Sequence, residues 1–199
     1  MSGDPLRCFF AVELPPSVRE AVQRAVAGMR EQVPEGVRWV APESVHLTLK
    51  FLGELPPDAL PKLLARAASR LSREQPFPVE LAGTGAFPHA RAASVLWIGI
   101  GEGAAALARL ARKLEAAGRG AGAPRERRPF RAHLTVGRLR EPRPVPAECF
   151  PAPDSAGLRV EEVVLYESRL SSSGASYAPL ARLPLGAEAG RALELAPEL

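Results

Sequence analysis

Two hydrophobic periods run through this chain of 199 residues. Short apolar or alternating runs closed by Gly or Pro predict strands over Leu6–Val12, Val37–Val40, His46–Leu52 (ended by Gly53), Phe77–Phe87 and Ser94–Ile100. Further strands are predicted over Arg131–Gly137, Leu158–Tyr166 and Tyr177–Leu185, the last two flanking the turn Ser171-Ser172-Ser173-Gly174. Helical spacing takes over in three places. Val18, Ala21, Val22, Ala25, Val26 and Met29 share one face of a helix from Val18 to Gln32, with Ser17 placed to cap it. Leu60, Leu63, Leu64 and Ala67 do the same over Pro56–Leu71, and an Ala/Leu-rich helix is predicted over Gly103–Ala117. Gly118–Pro129 interleaves Gly and Pro with Arg119, Arg125, Arg127 and Arg128 and reads as a flexible basic loop. Glu141–Pro153 is Pro-rich and irregular. Residues 186–199 form a polar, Ala-containing tail, expected to be poorly ordered or a frayed helix.

The helices interrupt a majority of strands singly, and the order of elements roughly repeats after half the chain. The expected class is α+β, with two pseudo-symmetric lobes left by an old duplication. Each lobe is a mostly antiparallel sheet with outer helices, and the two flank a central cleft within a single domain over residues 1–185.

Composition narrows the function classes. Hydrophobic residues make up 46%, enough for a proper core, and the formal net charge is +4 with a pI near 9.6. Only Lys50, Lys62 and Lys113 stand against 23 Arg. Arginine grips phosphate with a planar fork, which suits an anionic partner such as RNA, although most of these side chains are expected to be solvated. Cys8 and Cys149 lie far apart without metal-site spacing, so neither a disulfide framework nor a zinc centre is expected. No apolar stretch reaches the ~20 residues of a membrane span, and the N-terminus lacks a signal-peptide layout. A reduced, cytoplasmic protein that does not engage membranes is expected.

The chemistry concentrates in one repeated tripeptide, His46-Leu47-Thr48 and His133-Leu134-Thr135. The chain has only three His and three Thr, so two such hits are a coincidence on the order of one in a thousand. In a strand, residues two apart share a face, which sets His46 with Thr48 and His133 with Thr135, opposite Leu47, Leu49, Leu134 and Val136. A single such motif is ordinarily a strand histidine satisfied locally. Two on like strands point to a pair of imidazoles and a pair of hydroxyls around one phosphate, one imidazole giving a proton and the other taking one. Spacing alone does not say which does which.

These motifs and their flanks resemble the two-histidine phosphoesterase superfamily. The blocks are Phe9-Phe10-Ala11 with Leu14-Pro15, Val37-Arg38-Trp39-Val40, His46 through Gly53, Gly83 to Pro88, Val95-Leu96-Trp97, Arg128-Pro129-Phe130 and Leu165 through Leu170. Within the superfamily, the chain is similar over most of residues 6 to 185 to the LigT-like bacterial RNA 2′,3′-cyclic phosphodiesterases, historically called 2′-5′ RNA ligases. The resemblance implies that His46 protonates the departing 3′ oxygen, His133 activates water, and Thr48 and Thr135 bind the phosphate. It implies no cofactor and no metal. The partners it implies are RNAs with 2′,3′-cyclic phosphate ends, tRNA fragments among them, acted on by a monomer. Ligation to a 2′-5′ linkage is the reverse chemistry, and an RNA-binding module with vestigial histidines is the non-enzymatic alternative. Ala132 stands where the family commonly has Pro, and Gly137 where Ala is common.

Secondary candidates follow from parity. Arg131 shares the parity of His133 and is assigned to substrate binding. Arg138 matches a family arginine but has the wrong parity unless the strand bulges. Lys50 has the parity of His46 but reads first as solvated. Phe51 and Trp39 can stack on bases yet read first as core. His89 reads as surface, Tyr166 and Tyr177 as strand residues, and the loop from Arg119 to Arg128 as solvated, with closure over RNA the alternative.

Overall fold

The computed structural model describes residues 4–33, 35–171, 174–186 and 194–195. The chain order is β1 (Leu6–Val12), α1 (Pro16–Gln32), β2 (Val37–Trp39), β3 (Leu47–Leu55), α2 (Leu60–Leu71), β4 (Phe77–Phe87) and β5 (Ala93–Ile100). It continues with α3 (Ala104–Arg119), β6 (His133–Arg143), β7 (Gly157–Val160), β8 (Glu162–Ser171), β9 (Gly174–Pro184) and β10 (Glu194–Leu195). The strands form two five-stranded sheets, ordered β10-β9-β8-β1-β3 and β2-β6-β5-β4-β7, and the strand pairs are antiparallel. The expected α+β class and two lobes are present.

The lobes are not the two halves of the chain. Each half contributes one antiparallel pair, β1 with β3 and β5 with β6, and sends further strands into the other lobe, β2 and β4 from the first half and β8 to β10 from the second. β4 leaves the first half to pair with β5, and β8 leaves the second half to pair with β1. The helices cross as well. α3 leads out of β5 yet packs on β3, and α1 packs against the turn at Ala147–Cys149. A Cβ on Gly118 would stand 2.8 Å from Leu52 Cδ2, so the glycine allows the end of α3 to approach β3 closely. One apolar cluster joins both sheets and all three helices, with Phe10, Leu47, Leu96, Leu107 and Leu134 wholly buried. β1 is apolar from Cys8 to Val12 because it lies between β8 and β3 and is covered on both faces.

Several boundaries differ from expectation. Ser17 does not cap α1; Pro16 occupies the first turn, where its missing N–H costs nothing, and the cap position is Pro15. β3 does not end at Gly53. It passes through that glycine at φ 71°, where the β1–β3 register skips Leu52. The second motif strand starts at His133, not Arg131, and runs on to Arg143. The run Leu158–Tyr166 is two strands, because the chain turns at exposed Glu161 from one sheet to the other and buries Val160 in one and Val163 in the next. In the tail, Glu194–Leu195 pairs with β9 as a strand, not as helix, and the rest of residues 187–199 lies outside the described residues.

Candidate active site

β3 and β6 touch each other where the two sheets meet, so both motifs lie at the seam between the lobes. His46 immediately precedes β3 and His133 opens β6. Leu47, Leu49, Leu134 and Val136 are buried, whereas His46, Thr48, His133 and Thr135 are half-buried on the opposite face. The alternation expected from the sequence is therefore present at both sites.

It then breaks in the same place twice. β1 pairs Ala11 with Thr48 and Phe10 with Lys50, skipping Leu49. β5 pairs Trp97 with Thr135 and Leu96 with Gly137, skipping Val136. A bulge adds one residue and reverses the parity of everything after it. Lys50 consequently turns inward: it is 6% exposed, 2.9 Å from Glu115 Oε2, and donates to the Pro124 carbonyl at 2.8 Å. It neither lines a groove nor is solvated. The same reversal turns Phe51 and Arg138 out to the exposed side. Phe51 is 55% exposed rather than core, and Arg138 joins the face carrying His133 and Thr135.

The imidazoles are held alike. His46 Nδ1 lies 2.8 Å from the Ser44 carbonyl, and His133 Nδ1 lies 2.6 Å from the Arg131 carbonyl. A carbonyl only accepts, so each Nδ1 carries hydrogen and each Nε2 is left for chemistry. Among the described residues, neither Thr48 nor Thr135 spends its hydroxyl on a protein partner. Burial lowers the pKa of both histidines, partly opposed by these carbonyl bonds, and the Arg138 charge lowers His133 further.

The surroundings differ. The Phe9 ring stacks on His46 at 4.8 Å between centroids, Tyr177 meets it edge to face at 5.0 Å, and Tyr166 stands 6.4 Å away. Phe51 adjoins Phe9 at 5.9 Å. Among the described residues His133 has one ring neighbour, Phe87 at 5.0 Å, whose ring centre lies 6.0 Å from the Arg131 guanidinium. Arg131 precedes β6, so strand parity does not apply to it; its carbonyl orients His133 while its side chain is exposed beside Phe87. Phe9, Tyr166 and Tyr177 as neighbours of His46 were not expected. They come from β1, β8 and β9, whose pairing crosses between chain halves. Trp39 is half-buried at the edge of β6 beneath Arg30, and His89 lies exposed on a turn; neither joins the motifs. Among the described residues, no three His, Cys, Asp or Glu side chains group as metal ligands, and no helix is long and apolar enough to cross a membrane.

A family model described as LigT like Phosphoesterase matches the chain twice, over residues 12–97 and 98–177, one motif in each. A Thermus thermophilus protein named RNA 2′,3′-cyclic phosphodiesterase is 37% identical over 196 residues, covering 94% of this chain and 93% of its own. The crystal structure of Escherichia coli LigT in apo form superposes with a TM-score of 0.78 at 31% identity, over 92% of this chain and 99% of that one. The same protein complexed with 3′-AMP gives 0.75 over the same shares.

Proposed function

The chain belongs to the LigT-like phosphoesterase family, and we propose that it hydrolyses RNA 2′,3′-cyclic phosphate ends to 2′-phosphate ends, with His46 as the general acid and His133 as the general base. The carrying observation is the doubled construction: two imidazoles anchored through Nδ1, each with an unspent threonine hydroxyl on its own face, on two strands in contact. Relatives named for this activity, and a related structure complexed with a nucleotide, support the substrate class.

The different surroundings of the two rings support this assignment of roles. Arg138 opposes a second positive charge on His133, which favours its neutral form as the base. Burial lowers the His46 pKa; the stacked Phe9 face and, once bound, the substrate's anionic phosphate act against it and favour the imidazolium. His133 Nε2 takes a proton from water as the water oxygen bonds phosphorus. The bond from phosphorus to O3′ breaks, and His46 gives its Nε2 proton to that oxygen. The products are a 2′-phosphate and a 3′-hydroxyl, and solvent exchange resets both rings. Thr48, Thr135, Arg131 and Arg138 bind the non-bridging oxygens as charge builds. Exposed Phe51 offers a face to a base. No metal takes part in these steps.

The proposal includes one functional domain over residues 1–185, working as a monomer in the cytoplasm. Buried free Cys8 and Cys149 suit a reducing compartment. The test is incubation of a 2′,3′-cyclic nucleotide with the protein in EDTA. Release of the 2′-phosphate supports the reading. Binding without turnover overturns it in favour of a binding module, and a requirement for added 5′-hydroxyl RNA overturns it in favour of ligation.

A further inference from the structure

Residues 119–131 carry five arginines against one glutamate, and the sequence alone suggests a floppy loop. The structure builds it instead. The Gly118 carbonyl accepts the N–H groups of both Ala121 and Ala123 at 2.9 Å, and Ala123 is buried. Lys50 reaches from beneath β3 to hold the Pro124 carbonyl, with Glu115 as its counter-ion, and the Pro124 ring lies against Gly53. Next, the Glu126 carboxylate accepts the backbone N–H groups of Arg127 at 2.9 Å and Arg128 at 3.0 Å. From there the chain leads directly into His133. The segment is thus fixed to one motif strand at its start and continuous with the other at its end.

Its cations are left unspent. Arg119, Arg125 and Arg127 are exposed, and the side chains of Arg125 and Arg127 have no partner among the described residues. Arg128 meets only Glu126, at 3.4 Å with 86% of its side chain exposed. Like charges fixed close together repel, and a polyanion relieves that repulsion. Guanidinium forks suit phosphodiesters in particular.

We propose that Arg125, Arg127 and Arg128 form a fixed cationic strap that holds the sugar-phosphate backbone of a single-stranded RNA upstream of its reacting end. The proposal rests on the reading of the site given above. A cyclic mononucleotide has no upstream phosphate, so the strap distinguishes an RNA terminus from a free nucleotide.

The test compares the triple variant R125A/R127A/R128A with the unaltered protein on two substrates, 2′,3′-cyclic AMP and an RNA of about ten nucleotides ending in a cyclic phosphate. All three side chains are exposed, so folding is expected to be kept. The expected result is a KM for the RNA raised about tenfold or more, with a log–log salt dependence of RNA affinity shallower by roughly two (about 0.7 per phosphate contact). The kcat on RNA and both constants on the mononucleotide stay within about twofold. An unchanged KM for RNA, or equal losses on both substrates, would overturn the strap. If the unaltered protein turns over neither substrate, the proposed activity falls instead. Fluorescence anisotropy with a 3′-hydroxyl RNA of the same length then still decides: equal affinity for both proteins overturns the strap, and weaker binding by the variant supports it.

Discussion

His46 sits among rings and His133 beside cations, although the strands that carry them are built alike. β3 and β6 share the Nδ1 anchor two residues back, the buried leucine, the half-buried threonine and the bulge one residue later. After the bulge they diverge. Lys50 corresponds to Gly137, and Phe51 to Arg138. Repetition of the backbone delivers two similar imidazoles. In the proposed mechanism what packs around each separates their roles, the aromatic face favouring a charged ring at His46 and the Arg138 guanidinium a neutral one at His133.

The most damaging change expected is loss of either ring. H46A and H133A should each lower kcat by about 10²–10⁴-fold with the fold retained by circular dichroism. An aryl phosphodiester sharpens the contrast, since its leaving group departs without a proton. H46A should recover much of its activity on such an ester and H133A should not; equal recovery would abolish the assignment of roles. The post-bulge positions come next. K50M leaves the Glu115 carboxylate without its cation and should cost about 3 kcal/mol in denaturant unfolding. At the corresponding place, G137A sets a Cβ 2.9 Å from Val37 Cγ1 and 3.1 Å from the Trp39 ring. It should cost about 1–2 kcal/mol by overpacking. A loss in G137A as large as that in K50M would contradict the view that only one lobe hangs a buried charge there. The smallest effect is electrostatic. R138A removes a positive charge beside His133, so the His133 pKa rises toward its ordinary value. Because His133 must be neutral to act, the acid limb of kcat/KM should move to higher pH. A limb that stays in place would show that Arg138 does not tune the base.

Much of this was legible in the chain. The buried faces of α1 and α2 follow from helical spacing, and the facing of His46, Thr48, His133 and Thr135 from strand alternation. What failed depended on pairing between distant segments. Nothing local marks Leu49 or Val136 as bulged, so strict alternation sets Lys50 toward the cleft and Phe51 and Arg138 away from it, the reverse of their positions in the fold. The aromatic setting of His46 needs β1, β8 and β9 side by side, and the apolar run from Leu158 to Tyr166 hides a change of sheet at Glu161. The aromatic and cationic surroundings that separate the two histidines were therefore the least readable part of the site.

The traded strands also bear on how substrate is admitted. β8 locks onto β1 and β4 onto β5 through continuous backbone ladders, and both leave the half of the chain to which their partners do not belong. Swinging the lobes apart like jaws would strain the links that carry each strand across. The relative placement of the two motif strands is accordingly preset by the scaffold, which leaves side-chain rotamers at the rim as the adjustable part.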